Sequence, residues 1–272
     1  MLKTRVITAC VLLLALSVEL LELSYNGFSL VMSLIFVVAA WEWANMVGFE
    51  LQWQRIFYAF LCVILMSVLF YLDVHKETFL LRLILFFSVA GWLLALLAVC
   101  RYPEQKSWSN RWLMALAGCW LLLPVWLGLL YLQPQVIWSG LIWLVIAAVA
   151  AADIGAYFSG RRFGRRKLAL HVSPGKTWEG FLGGVMANLL LAALVAFYLK
   201  LPALQFMGFV IGMMIVGCFS VLGDLFESMV KRERGIKDSS RLLPGHGGVL
   251  DRIDGWTAAV PVFTLLFLFF GQ

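Results

Sequence analysis

The chain has 272 residues, 63% of them hydrophobic and 13% charged, with a net charge of +6 at pH 7. Soluble domains have about 45–50% apolar and about 25% charged residues, so this composition excludes water as the main solvent. No linker, internal repeat or low-complexity tract divides the chain, and the sequence predicts one domain. The positive charge follows from membrane topology, so it does not indicate nucleic-acid binding.

Apolar runs of about 20 residues recur from end to end, and each is long enough to cross roughly 30 Å of hydrocarbon as a helix. The runs are continuously apolar and do not alternate at period two, which argues against a β-barrel. We therefore predict an all-α, polytopic integral membrane protein with about nine transmembrane helices. They are expected near residues 6–23, 28–47, 56–72, 80–100, 112–131, 136–158, 179–199, 203–223 and 255–271.

The first span also resembles a secretory signal, because Lys3 and Arg5 precede the apolar run 6–18. Acidic residues follow that run where a small-residue cleavage site would be expected, so we prefer an uncleaved helix. With a cytoplasmic N-terminus, alternation of the spans places 18 of the 21 Lys and Arg on the cytoplasmic side, as the positive-inside rule requires. Two cytoplasmic loops, 159–178 and 227–253, hold 12 of them.

Few polar residues lie within the spans. Residues 1–131 carry little beyond Glu42, which stands between two tryptophans, and they are expected to form a scaffold; residues 136–272 are expected to carry the chemistry. In the sixth span Asp153 is an intramembrane carboxylate, which indicates function by default, and it shares a helix face with Tyr157. Small residues around Asp153 permit close helix packing. A structural pairing of Asp153 with a neighbouring arginine stays open.

The segment HVSPGKTWEG, residues 171–180, contains a GKT sequence but is not a P-loop. A Walker A motif needs a glycine where this chain has Leu170, and no preceding strand is expected. Ser173, Lys176 and Thr177 are instead suited to donate hydrogen bonds to a phosphate at a helix N-terminus. Capping of the following helix by Thr177 is the alternative.

Acidic residues are concentrated toward the C-terminus. Asp224 and Ser228 are four residues apart at the cytoplasmic end of the eighth span, and Asp251 and Asp254 are three apart at the entry to the last span. We expect the two carboxylate faces to meet at one membrane depth. Hard oxygen ligands of this kind suit Mg²⁺, which completes its shell with water and substrate phosphates.

Cations and glycines fill the interval between these acids. Cations here suit a polyphosphate, and glycines let the backbone approach a ligand, a combination typical of phosphoryl or nucleotidyl transfer. A solvated charged loop with ordinary turn glycines is the alternative. His246 is suited either to donate to a phosphate or to hold the loop shape. The cations are Lys231, Arg232, Lys237, Arg241 and Arg252, and the glycines are Gly245, Gly247 and Gly248.

The segment SMVKRERGIKDSSRLLPGHGGVLDRID, residues 228–254, resembles the signature of bacterial phosphatidate cytidylyltransferases, also called CDP-diglyceride synthases. Ser239, Ser240 and Leu242 occupy positions where that family varies, and we expect them not to change the chemistry. Four more segments are similar to the same family: AAWEW at 39–43, ADIGAY at 152–157, VSPGKTWEGF at 172–181 and SVLGDLFES at 220–228.

The resemblance implies a multi-pass enzyme of the bacterial inner membrane, with its active site facing the cytoplasm, that makes CDP-diacylglycerol and pyrophosphate from CTP and phosphatidate. It also implies a homodimer among membrane lipids and dependence on Mg²⁺, with Asp224 and Asp251 as metal-binding acids and a second, monovalent cation nearby. The residues expected to be catalytic are Asp224, Asp251, Asp254, Lys237, Asp238 and His246. Those expected to bind substrate are Ser173, Lys176, Thr177, Ser228, Lys231, Arg232, Gly247, Gly248, Arg252, Asp153 and Tyr157.

Two other functions stay open. A CTP-dependent lipid kinase of related architecture would transfer the γ-phosphoryl group and release CDP, and the near-complete signature match argues against it. An ion-coupled transporter would place acids near the bilayer midplane and show repeat symmetry. In this chain the informative acids cluster at one cytoplasmic rim, and no repeat is visible.

Overall fold

The computed structural model describes residues 14, 17, 23–76, 79–104, 110–135 and 140–271. Over these residues the chain has eight α-helices that are long and apolar enough to cross a membrane. The predicted all-α, polytopic fold is confirmed, while the first predicted span, 6–23, lies almost entirely outside the described residues. The helices are α1 (Tyr25–Met46), α2 (Gln52–Tyr71), α3 (Phe79–Arg101), α4 (Arg111–Leu132), α5 (Gly140–Phe163), α6 (Trp178–Tyr198), α7 (Ala203–Arg234) and α8 (Leu250–Phe270).

The helices that carry the acidic motifs extend beyond the apolar runs. Helix α7 continues to Arg234, eleven residues past the predicted end of its span, and α8 begins at Leu250, five residues before its predicted start. Hydropathy detects only the limits of the hydrocarbon, whereas Glu, Lys, Arg, Leu and Met continue a helix into water because they are good helix formers. The bounds predicted for the loop, 227–253, are therefore wrong at both ends. Only residues 235–249 lie between the two helices.

A short β-hairpin joins α5 to α6. Strands β1 (Lys167–Ala169) and β2 (Ser173–Thr177) pair antiparallel, and the Lys167 ammonium donates to the Pro174 carbonyl at 2.7 Å. The absence of a strand predicted before the GKT sequence is wrong, because a run rich in Lys, Arg, Gly and Pro lacks the pattern of a buried strand and yet forms this exposed hairpin. Thr177 ends β2 and caps α6 by accepting from the Gly180 amide at 3.1 Å, so the capping alternative for Thr177 is confirmed.

The described residues fall into two compact units that interleave along the chain. The first unit comprises the described parts of Met1–Ile84, Ser107–Ile142 and Val230–Asp254, and the second those of Leu85–Lys106, Trp143–Met229 and Gly255–Gln272. Each unit therefore draws segments from both halves of the sequence. The expectation of one domain with residues 1–131 as a scaffold stays a prediction.

In the first unit, α1 is held firmly against α4. The Trp43 indole donates to the Met114 carbonyl at 2.8 Å, and the Trp126 indole donates to the Ser33 hydroxyl at 3.0 Å. Gly118 leaves the space that Trp43 occupies, since a Cβ there would lie 2.3 Å from the indole ring. These contacts fix the rotation of α1 about its axis and so the direction of the residue before Trp43, which is Glu42.

In the second unit, small residues bring α5 and α6 into backbone contact. A Cβ on Gly155 would lie 2.5 Å from the Gly183 carbonyl, and a Cβ on Gly184 would lie 2.6 Å from the Ala152 carbonyl. Such small-residue seams allow membrane helices to approach closely. The close packing expected around Asp153 is confirmed, and it holds the end of α5 beside the hairpin.

Candidate active site

Asp251 is the centre of a buried polar network in the first unit. It lies in the first turn of α8 with 5% of its side chain exposed, and the Lys231 ammonium donates to its Oδ1 at 2.7 Å. Its Oδ2 accepts from the Ser239 amide at 2.9 Å, the Ser239 hydroxyl at 2.8 Å and the Gly248 amide at 2.8 Å. A buried ion pair is tolerated when additional hydrogen bonds satisfy its remaining polar atoms, as they do here.

The glycines around Asp251 are required by this geometry. Gly247 has a φ of +82°, which side chains rarely adopt, and a Cβ there would lie 2.6 Å from Asp251 Oδ2. The His246 amide donates to the Leu243 carbonyl at 2.9 Å, so the backbone of His246 helps to hold the loop. Its ring Nδ1 is buried and has no hydrogen-bond partner in the described structure.

The second unit contains a more accessible pair. The Lys176 ammonium on β2 forms an ion pair with the Asp224 carboxylate on α7, and 32% of the Asp224 side chain is exposed. The Ser228 hydroxyl donates to Asp224 Oδ1 at 3.2 Å, one helical turn away, so the predicted shared face of these two residues is confirmed. Lys176 and Asp224 come from motifs that are 48 positions apart in the sequence.

A cavity of about 370 Å³ lies beside the hairpin in the second unit. The Arg161 guanidinium donates to the Tyr157 hydroxyl at 3.0 Å at this cavity, which places a cation and a hydroxyl together. Two predicted motifs, ADIGAY and VSPGKTWEGF, thus meet around one space. Its polar lining consists of Asp153, Tyr157, Arg161, Lys176 and Thr177.

The remaining predicted site residues differ in exposure. Lys237, Asp238 and Arg252 are exposed, so water-borne ligands can reach them. The Gly248 amide donates to Asp251, so in this structure it supports the carboxylate rather than offering a donor to substrate. Ser173, Arg232 and Asp254 belong to β2, α7 and α8 in turn.

Sequence reasoning missed two residues of the Asp251 network. Ser239 was assigned to a variable position without chemical consequence, yet it makes two of the three hydrogen bonds to Asp251 Oδ2. Glu42 was assigned to the scaffold, yet it is fully buried and contacts the same loop. A carboxylate inside a predicted span was the available signal for Glu42, the same signal that singled out Asp153.

The donor set fits Mg²⁺ better than a metal that prefers nitrogen or sulfur. Among the described residues, no group of three or more His, Cys, Asp and Glu comes together. Mg²⁺ does not need such a group, because one or two protein carboxylates plus substrate phosphates and water suffice. Asp224 is partly exposed and has coordination capacity left, whereas Asp251 offers only Oδ1, beside Lys231.

The fold and these residues define a multi-pass membrane protein with charged sites at the ends of extended helices. The sequence profile of the cytidylyltransferase family matches residues 3–270, and the chain belongs to that family. It is 46% identical over 267 residues to the phosphatidate cytidylyltransferase of Pseudomonas aeruginosa, covering 98% of this chain and 97% of the relative. It is 42% identical to that of Haemophilus influenzae, with 99% of each chain covered, and 36% identical to that of Brucella suis, with 98% and 93% covered. The resemblance that the signature indicated is confirmed.

Proposed function

We propose that this chain transfers the cytidylyl group of CTP to phosphatidate, giving CDP-diacylglycerol and pyrophosphate. The proposal is supported by family membership over residues 3–270 and by relatives of nearly equal length that are phosphatidate cytidylyltransferases. One observation carries it in the geometry: Lys231 and Gly248, both signature residues, bind the carboxylate of a third signature residue, Asp251.

Cytidylyl transfer to phosphatidate mainly requires that the negative charges of the two substrates be neutralised. Phosphatidate is a phosphate monoester whose second pKa is about 6, so it is largely ionised at neutral pH and needs little help from a general base. Repulsion between the two anionic substrates is the larger obstacle. Positioned cations that act at the developing charge of a phosphoryl transfer therefore supply most of the catalysis.

The lysines of the two ion pairs are suited to this task. Lys176 and Lys231 each hold an ammonium beside a carboxylate. The more accessible Lys176 can exchange its carboxylate oxygen for a phosphate oxygen of the substrates, whereas the buried Lys231 stays on Asp251 and adds its positive charge there. Asp224 in the second unit and Asp251 in the first are the proposed metal-binding acids, and Mg²⁺ bound to them would supply further neutralisation of the triphosphate. Lys237, Arg232 and Arg252 add exposed cations, and Asp254, Asp238 and His246 complete the proposed catalytic set.

We assign the cavity of the second unit to the phosphate of the lipid substrate. Tyr157, Arg161 and Lys176 supply donors there, with Ser173 and Thr177 on the same hairpin. On α5, Ile154 and Phe158 next to the lining residues are exposed apolar side chains. A phosphatidate whose acyl chains stay in hydrocarbon can therefore present its headgroup to this cavity. Asp153 lines the same space, where it is suited to orient Arg161 or Lys176.

The setting of the enzyme follows from the same reasoning. The helices that can span a membrane place it in a bilayer as a multi-pass protein, and the distribution of Lys and Arg supports an active site that faces the cytoplasm at the bacterial inner membrane. A homodimer and a second, monovalent cation are part of the proposal on the strength of family resemblance.

The test is an assay in detergent or proteoliposomes with phosphatidate, Mg²⁺ and CTP labelled at either the α or the γ phosphorus. We expect label from the α position in the lipid phase and pyrophosphate in the aqueous phase. Transfer of the γ label to lipid would instead identify a lipid kinase. Absence of transfer from both positions would contradict the proposal and favour the transporter alternative.

A further inference from the structure

Glu42 is a fully buried carboxylate in the half of the sequence that is expected to form a scaffold. It lies near the end of α1, between Trp41 and Trp43, with no exposed surface. Burying a carboxylate is unfavourable unless hydrogen bonds replace the lost water. The hydrogen-bond partners that replace water at Glu42 therefore indicate the role of this side chain.

Each oxygen of Glu42 contacts one hydroxyl and one amide. Oε1 accepts from the Ser240 hydroxyl at 2.6 Å and the Val249 amide at 2.9 Å. Oε2 accepts from the Leu250 amide at 2.7 Å and lies 3.2 Å from the Ser239 hydroxyl, whose single proton it shares with Asp251 Oδ2 at 2.8 Å. The two amides stand at the start of α8, where backbone donors lack partners within the helix. The segment between α7 and α8, residues 235–249, is called the signature loop below. Glu42 joins α1 to residues 239–240 of this loop and to residues 249–250 at its end.

The same loop residues bind Asp251. Ser239 and Gly248 are its donors, and the Ser239 hydroxyl also lies 3.2 Å from Glu42 Oε2. Gly248 leaves no room for a side chain beside Glu42, since a Cβ there would lie 2.4 Å from Glu42 Oε1. Asn45, one helical turn beyond Glu42, donates to the Ser239 carbonyl at 2.9 Å. Helix α1 therefore contacts this loop through both Glu42 and Asn45. The loop lies between the carboxylates of Glu42 and Asp251.

We propose that Glu42 is a positioning residue, which acts through Ser239, Ser240 and the first amides of α8 to hold the Asp251 carboxylate in its working orientation. The inference rests on the proposed function, since it is the metal and the triphosphate that Asp251 would meet. A support of this kind behind a metal-binding carboxylate is typically worth about 10–100-fold in metal affinity or activity.

The test uses the full-length enzyme in detergent, titrated with Mg²⁺ at saturating CTP and phosphatidate. Glu42→Gln keeps the size of the side chain but turns an NH2 group toward donors that include a backbone N–H. We expect the Mg²⁺ concentration for half-maximal rate to rise about tenfold or more, and kcat to fall about 10–100-fold. Equilibrium binding of labelled CTP with Mg²⁺ and without phosphatidate should weaken in parallel. Glu42→Asp, which keeps the charge, should recover part of each loss.

The control is Glu50→Gln, because Glu50 is an exposed acid of the same unit whose partner is Arg234. It should match the wild type in every measurement. If Glu42 only stabilised the fold, Glu42→Gln would lower the folded yield and Tm. The half-maximal Mg²⁺ concentration and the CTP affinity of the folded enzyme would stay unchanged. That result would overturn the inference and leave the proposed function intact.

A second variant keeps the test decisive if Glu42→Gln does not fold. Ser240→Ala removes one of the four hydrogen bonds to Glu42 and leaves the carboxylate in place. We expect the half-maximal Mg²⁺ concentration to rise about two- to tenfold, the effect of one lost hydrogen bond; no rise would overturn the inference. Failure of the wild-type enzyme to transfer the α label would contradict the proposed function itself.

Discussion

The two compact units each contain a lysine–aspartate pair, and the two pairs differ mainly in burial. In the first unit Asp251 is 5% exposed, and Lys231 together with three hydrogen bonds from Ser239 and Gly248 surrounds its oxygens. In the second unit Asp224 is 32% exposed, and its contacts are Lys176 and the Ser228 hydroxyl. The same ionic chemistry therefore occurs once in a fixed setting and once in an accessible one.

The difference indicates a division of labour. A charge that is buried and fully hydrogen-bonded costs little reorganisation when it acts, but removing one partner leaves the other in a low dielectric. A partly exposed pair is weak in its own right, because water competes with it, and its members exchange partners easily. We infer that Asp251 is preorganised by its loop, whereas Lys176 and Asp224 are free to rearrange around a substrate.

The largest effect is expected when each aspartate is neutralised. Asp251→Asn should remain folded but lose about 10²–10³-fold or more of its turnover, because the charge that attracts cations is gone. Asp224→Asn should lose turnover as well, with a smaller change in Tm, because its pair is exposed. The measurement is turnover per folded enzyme, quantified after size-exclusion chromatography. Normal turnover in folded Asp251→Asn would contradict its assignment.

A smaller effect should separate the two lysines by stability. Lys231→Met keeps most of the side-chain volume but leaves the buried Asp251 charge without its cation, which should cost about 3 kcal/mol or more of the free energy of unfolding. Lys176→Met breaks the more accessible pair and should cost about 1 kcal/mol or less. Denaturation in mixed micelles, followed by far-UV circular dichroism, measures both. Equal losses would show that burial does not distinguish the pairs.

These pairs also show what could be predicted from the sequence. Hydropathy predicted the described spans, and the motif spacing predicted the shared face of Asp224 and Ser228, because both depend on neighbours along one helix. The bonds from Glu42 to Ser239 and Leu250 join positions about 200 residues apart, and such contacts depend on how α1 packs, which Trp43 and Gly118 decide. The hairpin and residues 224–234 of α7 were missed because hydropathy does not predict the secondary structure of segments that lie outside the hydrocarbon.

The smallest effect is expected at a third ion pair, which extends the series to higher exposure. The Arg234 guanidinium meets the Glu50 carboxylate at 2.9 Å in the first unit, but 73% of the Glu50 side chain is exposed. Arg234→Gln should change the free energy of unfolding by no more than about 0.5 kcal/mol, since water replaces the lost contact. Its turnover and half-maximal Mg²⁺ concentration should equal those of the wild type. Arg234 lies three residues from Lys231 on α7, so a loss of activity in this variant would show that the end of α7 positions Lys231, and that burial alone does not rank the three pairs.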